Sequence, residues 1–135
     1  MGFDELLGMV KTIARDVFVT TGQHAAQAIF IKQGRIGSML ITMRDDTAKE
    51  GAAGMLRNLR TDCELVCFVC EAWVGHRMDL LPRNDPERTE AVVLTMHASD
   101  GRSEIWHARI TRLGQKVTLG PWVKQEGTPI GRFLE

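Results

Sequence analysis

The segment from Cys63 to Val74, CELVCFVCEAWV, is the most apolar continuous run in the chain and places the strongest constraint on its fold. Side chains alternate between the two sides of a β-strand. One side would carry Leu65, Cys67, Val69 and Trp73, and the other Val66, Phe68, Cys70, Ala72 and Val74. Because both sides are apolar, the run predicts a strand that is covered on both faces and lies near the centre of a sheet.

The three cysteines of the chain, Cys63, Cys67 and Cys70, all fall within this run. Their C-x3-C-x2-C spacing is that of the cluster ligands in radical-SAM enzymes, and His76 would be a fourth ligand for zinc. A strand directs Cys67 and Cys70 to opposite faces, whereas metal ligands must converge on one point. We therefore interpret the cysteines as core residues and predict neither a metal nor a cofactor.

Hydrophobic periodicity and turn residues place the other elements around this strand. Apolar residues at helical spacing predict a first helix from Asp4 to Val17. A capping-box pattern from Thr47 to Glu50 predicts the start of a second helix that ends near Leu59. The other predicted strands are Ala28–Lys32, Ile36–Met43, Glu90–Ala98, Ser103–Thr111 and Lys116–Leu119, the last resuming at residues 122–124.

The predicted fold class is α+β, as a single domain over residues 1–135. We expect a mainly antiparallel sheet of about five to six strands with two helices, in the order α-β-β-α-β-β-β. Residues 75–88 form a long polar connection, and the tail at residues 125–135 is interpreted as a flexible loop.

The turns of the two predicted hairpins set their register. Gln33-Gly34 joins the first pair of strands and Asp100-Gly101 the second, each interpreted as a two-residue turn. That register places His97 opposite Glu104. The sequence has no H-E-x-x-H and no G-x-S-x-G motif, so it gives no signal for zinc-dependent or serine-based hydrolysis.

The charge balance argues against dedicated nucleic-acid binding. Lys plus Arg and Asp plus Glu both number 17, so no basic excess is available for phosphate backbones. No apolar run approaches the roughly 20 residues that a membrane span needs, so no membrane partner is expected. An odd number of clustered cysteines suits a reducing compartment, which makes the cytoplasm the expected location.

Glu71 allows two interpretations. It alternates with Val69 and Trp73, so it lies on an otherwise apolar face where an unpaired buried carboxylate would be costly. In the first interpretation, which we favour, it forms an ion pair with Arg77 or Arg88 at the margin of the sheet. In the second it sits at the mouth of a pocket and acts as a general acid or base.

A longer pattern surrounds this residue. The chain reads Glu71-Ala72-Trp73, then Asp85-Pro86-Glu87-Arg88, then Glu90-Ala91-Val92-Val93, which contains E-A-W followed by P-x-R-x-E. Over residues 45–112 it resembles a group of small uncharacterised prokaryotic proteins, some of which look phage- or prophage-borne. The resemblance marks the region of Glu71, Arg88 and Glu90 as the shared core of that group, and it implies no activity, cofactor or partner.

Two functions from different classes follow. The favoured hypothesis is a non-enzymatic protein-interaction domain, an accessory or inhibitor factor of phage or prophage origin that binds a protein partner or itself. The alternative is a small-molecule-binding or hydrolytic domain with a site around Glu71 and the 75–88 connection. The candidate binding residues are Glu71, Trp73, His76, Asp79 and Arg88.

Overall fold

An antiparallel sheet forms the frame of the protein in the computed structural model, which describes residues 1–41, 44–75, 79–81 and 84–125. Within these ranges the elements are α1 (Phe3–Thr21), β1 (Gln27–Lys32), β2 (Arg35–Leu40), α2 (Asp46–Asp62), β3 (Leu65–Val74), β4 (Thr89–Ala98), β5 (Ser103–Leu113) and β6 (Lys116–Lys124). The predicted α+β class is confirmed. Four strands follow the second helix, one more than the predicted order contains.

β3 lies in the middle of the sheet, as its two apolar faces predict. The strand order is β2-β1-β3-β4-β5-β6, and β3 pairs with β1 on one side and β4 on the other. Its first six residues, from Leu65 to Cys70, are all buried. The strand begins later than predicted because Cys63 ends α2 instead, donating its N–H to the carbonyl of Leu59.

α1 covers one face of the sheet, here called the α1 face. Its buried residues recur at helical spacing and are Phe3, Leu6, Leu7, Val10, Ala14 and Phe18. They pack against the side of β3 that carries Cys67 and Val69. The helix runs past the predicted end at Val17 because Phe18 continues the buried stripe, and Gly22 then ends it with a positive φ of 75°.

α2 covers the opposite face, here called the α2 face, through Ala52 and Leu56, which pack with Phe68 of β3. Its N-cap is Asp45, whose Oδ1 accepts the Ala48 N–H at 2.7 Å, so the capping box predicted at Thr47 is wrong. The carboxylate of Asp45 accepts the amide of Ala48, two residues before the Glu50 amide that the hydroxyl of Thr47 would accept in a capping box. Neither of the two described helices has the length and apolar character required to cross a membrane.

The cysteines are core residues in this fold. Cys67 is buried on the α1 face and Cys70 on the α2 face, so their thiols point away from each other. Burial raises the pKa of Cys67, and burial together with nearby Glu71 raises the pKa of Cys70 to about 12. Within the described ranges, no group of three or more His, Cys, Asp or Glu side chains is arranged to hold a metal ion.

The β1–β2 hairpin has the predicted two-residue turn. Gln33 and Gly34 both have positive φ angles, 52° and 76°, as a type I′ turn requires. The carboxylate of Glu64 accepts the N–H groups of both turn residues, at 2.7 and 3.2 Å. Beyond the turn, Gly37 lies directly opposite Phe30, whose ring occupies the space a side chain at position 37 would need.

The β4–β5 hairpin differs from the prediction by one residue. His97 lies opposite Ser103 rather than Glu104. The turn contains a third loop residue, since the N–H of Ala98 donates to the carbonyl of Arg102 and Gly101 has a φ of 97°. A positive φ at the last position of a three-residue loop is what moves the register by one.

Candidate functional site

One margin of the sheet, formed by the last residues of β3 and β5 and the first residues of β4, extends beyond α1. The helix stops at Thr21, and the chain then turns toward β1 past His24, whose N–H donates to Oε2 of Glu71 at 3.2 Å. The last residues of the α1 face, among them Trp73 and Glu90, are therefore left partly exposed, and these two lie directly opposite each other.

One guanidinium group holds two carboxylates at this margin. Nε of Arg112 donates to Oε2 of Glu90 at 2.8 Å, and its Nη2 donates to Oε1 of Glu71 at 3.3 Å. The hydrogen bond with Glu90 raises the pKa of Arg112. The favoured interpretation of Glu71 as an ion-paired residue is confirmed, but its partner is Arg112 and not Arg88, while Arg77 lies outside the described residues.

Arg88 contacts Trp73 instead. Its guanidinium carbon lies 4.6 Å from the centroid of the indole ring, a cation–π distance. A turn fixes this position: the buried Asp85 accepts the N–H of Glu87 at 2.8 Å through Oδ1, and its carbonyl accepts the N–H of Arg88 at 3.1 Å. The D-P-E-R segment of the sequence pattern is therefore a braced turn that presents one arginine to one tryptophan.

Two open depressions flank this contact. The first has a volume of about 180 Å³ and is lined by Glu71, Ala72, Trp73, Glu90 and Ile110. The second has a volume of about 280 Å³ and is lined by Trp73, Arg88, Thr89, Glu90, Arg109, Ile110 and Arg112. We call the region formed by Glu71, Trp73, Arg88, Glu90, Arg109 and Arg112 the Trp73 surface.

The structure brings together three of the five predicted binding residues, Glu71, Trp73 and Arg88. Asp79 is exposed and lines neither of the two depressions, and His76 lies outside the described residues. Sequence reasoning missed Arg109 and Arg112. The β4–β5 register could have located them. It places Arg109 opposite Ala91, and it places Arg112 beyond the first residue of β4, where its side chain reaches Glu90.

A second polar contact lies on the α2 face, away from these depressions. Nδ1 of His97 and Oγ of Ser103 are 2.8 Å apart on neighbouring strands. Burial and the nearby Arg60 lower the pKa of His97, with Asp100 acting in the opposite direction. The hydroxyl and imidazole form an ordinary cross-strand hydrogen bond at the exposed end of the hairpin.

No protein-family model matches this chain, and no curated protein or solved structure shows significant similarity to it. The function is therefore inferred from the chemistry of the described residues.

Proposed function

We propose that this chain is a non-enzymatic protein-interaction domain that binds an acidic region of a partner protein through the Trp73 surface. In line with the resemblance noted in the sequence, we place it among accessory or inhibitor factors of phage or prophage origin. The observation that carries the proposal is an exposed tryptophan stacked against an arginine that has no carboxylate partner among the described residues.

The charges of the Trp73 surface favour an acidic partner. Arg112 is shared by Glu71 and Glu90, so these two carboxylates are already neutralised in part by one guanidinium group. Arg88 and Arg109 border the same depression, and neither forms an ion pair with a described residue. The exposed guanidinium of Arg88 can donate to a partner's carboxylate in a bidentate geometry, and Arg109 adds positive charge beside the same depression.

Trp73 supplies the apolar part of the same surface. The residue is 42% exposed although its side chain is one of the largest apolar groups in the chain. Tryptophan and arginine are the residue types most enriched among those that dominate binding energy at protein interfaces. The braced turn from Asp85 to Arg88 holds Arg88 beside Trp73 before binding, which reduces the entropy lost on association.

The hydrolytic alternative has less support. Pockets for small molecules usually span about 300 to 1,000 Å³, and both depressions are smaller and open. Glu71 also accepts hydrogen bonds from the backbone N–H of His24 and from Arg112, and these engage both of its carboxylate oxygens. A carboxylate whose two oxygens are already engaged within the protein is poorly placed to contact a substrate as a general acid or base.

The experiment is affinity capture of the tagged chain from its native host, with quantitative mass spectrometry for the wild type, Trp73→Ala and Arg88→Glu. We expect a protein with an acidic surface to be enriched by the wild type. Binding of the purified partner should weaken by about 30-fold or more in Trp73→Ala, the size of an interface hot spot. Arg88→Glu should abolish capture at low salt, because it reverses the complementary charge.

Arg57→Glu is the matched control, since Arg57 is an exposed arginine of α2 on the other face. It should bind like the wild type. Thermal unfolding of all variants establishes that each is folded. Two results would show that this surface is not an interaction site. In one, Trp73→Ala captures as much partner protein as the wild type; in the other, the wild type captures no protein in larger amount than Arg88→Glu does.

A further inference from the structure

The β2 edge of the sheet is open and apolar. β2 pairs with β1 on one side, and no described strand pairs with its other side. Ile36 and Leu40 are 55% and 74% exposed, and no charged residue occurs from Ile36 to Ile41. An edge of this kind is a template for pairing with a further strand.

The hairpin register defines which backbone groups face outward. In a two-residue hairpin the residues that flank the turn exchange hydrogen bonds, and bonded pairs then recur at every second residue. Lys32 and Arg35 flank the turn, and the bond from Ile41 N–H to the Ala26 carbonyl continues the same alternation. The outward N–H and C=O groups therefore belong to Ile36, Ser38 and Leu40.

These three residues also share the α1 face, because Ile36 and Ser38 lie opposite Ile31 and Ile29. On the neighbouring helix, Lys11 and Arg15 contact β5 and β6. Ile13 and Val17 lie on the opposite flank of α1 from Lys11 and Arg15, and both residues are exposed by more than a third. The β2 edge and this flank of the helix thus both expose apolar side chains on the α1 face of the sheet.

We propose that β2 pairs antiparallel with β2 of a second copy, around a two-fold axis at Ser38. This register sets Ile36 opposite the partner's Leu40 and Ser38 opposite the partner's Ser38. It forms about six backbone hydrogen bonds, two for each bonded pair. The order Ile36, Ser38, Leu40 is palindromic in character, with an apolar residue on each side of a small polar one, which an isologous interface requires.

The other face of the strand accepts the same register without a clash of charges. Gly37 would lie opposite the partner's Met39, and Arg35 opposite the partner's Ile41, so no like charges are opposed. We expect the two copies to bury on the order of 1,000 Å² in total, close to the lower limit for a specific interface. The dimer should therefore form at micromolar concentrations of the chain. The Trp73 surface is built on other strands and stays accessible in either state.

Sedimentation velocity from about 1 to 200 μM tests the dimer, a range that brackets micromolar affinity. We expect the wild type to shift from monomer to dimer, and Leu40→Lys to associate at least about 10-fold more weakly. Leu113→Lys is the control, since Leu113 is 70% exposed and lies away from β2. A wild type that stays monomeric, or an equal loss in both lysine variants, would overturn the proposal.

A cross-linking experiment tests the register separately. Bonded antiparallel residues have Cα atoms about 5.5 Å apart, within the range of a disulfide. Ser38→Cys should therefore form a covalent dimer under mild oxidation, while Ser99→Cys, an exposed position in the β4–β5 turn, should not. The native cysteines are buried and stay unreacted. Equal cross-linking rates for the two variants would exclude pairing at Ser38.

Discussion

β2 and β6 form the two edges of one sheet, and they are protected very differently. β6 contains Pro121, which has no N–H to offer a further strand. It also bulges: three steps from Leu119 to Trp122 match two steps from Ala108 to Ile110 in β5. β2 has neither a proline nor a bulge over its six residues.

Arg15 of α1 completes the protection of β6. Its Nη1 and Nη2 donate to the carbonyls of Leu119 and Gly120, at 3.0 and 2.6 Å. A side chain thus occupies acceptors that another strand would otherwise use. Among the described residues nothing protects the apolar β2 edge in this way, and this contrast supports the pairing proposed for β2.

The two edge strands belong to one sheet, so the stability of both should depend on the buried central strand β3. Phe68 is buried in β3 beneath α2, and Phe68→Ala should lower the free energy of unfolding by about 3 to 5 kcal/mol. Chemical denaturation measures this change. Val123→Ala on the exposed side of β6 is the control, expected within about 0.5 kcal/mol of the wild type. A near-neutral Phe68→Ala would mean that β3 is not covered on both faces.

The hydrogen bonds from Arg15 to the β6 backbone predict the next largest change in the free energy of unfolding. Arg15→Ala removes two charge-assisted hydrogen bonds and should cost about 2 kcal/mol. Hydrogen–deuterium exchange should speed up in β6 and stay unchanged in β2. Arg57→Ala, at an exposed arginine of α2, should alter neither. If exchange rises equally at both edges, Arg15 supports the whole fold rather than one edge.

Glycines on the two edge strands offer a sharper comparison. A Cβ at Gly37 of β2 would lie 2.7 Å from the ring of Phe30, so Gly37→Ala should cost about 1 kcal/mol. A Cβ at Gly120 of β6 would lie 3.5 Å from its nearest atom, an ordinary contact. Gly120→Ala should be neutral, or more stable by up to about 1 kcal/mol. Thermal unfolding of the Gly37→Ala and Gly120→Ala variants measures the difference. An equal loss of stability in both variants would contradict the packing of Phe30 over Gly37.

The smallest predicted effect concerns charge near β6. Burial alone would raise the pKa of Glu104, but hydrogen bonds from Arg102 and Trp106 outweigh it and leave that pKa lowered. A lowered carboxyl pKa stabilises the fold above the ordinary value of 4.5, and this contribution is lost as pH falls through the lowered value. The stability gap between wild type and Glu104→Gln should therefore narrow in acid. A gap that is constant with pH would show that the contribution is packing alone.

The centre of this sheet was predictable from sequence, and its boundaries were not. The two apolar faces of the run that contains Leu65 and Phe68 leave one outcome, a strand covered on both sides. The start of α2 was predicted at Thr47, but the helix begins earlier, because the carboxylate of Asp45 accepts the Ala48 N–H in an extended backbone conformation that the sequence pattern does not specify. The register of β4 and β5 depended on whether Gly101 is the second or the third residue of the loop. A hairpin sequence with Asp-Gly allows both loop lengths.

The candidate site was predictable only in part, because some of its contacts depend on strand registers that the sequence does not determine. Trp73 and Arg88 belong to one local sequence pattern, and they are in contact. Arg112 lies 41 residues from Glu71 in the chain, and its contact depends on the registers of β3 with β4 and of β4 with β5. A slip of one residue in that register would turn Arg112 to the other face of the sheet.

The contact of Arg15 with β6 also sets an order of events during synthesis. Arg15 precedes the two carbonyls that it binds by 104 and 105 residues. At about 5 to 20 residues per second, α1 leaves the ribosome several seconds before β6 exists. During that interval the apolar stripe of α1, including Val10 and Phe18, has no completed sheet to cover. In the finished fold this stripe packs against β3, so it stays exposed to chaperones and proteases until that strand has been synthesised and the sheet has formed.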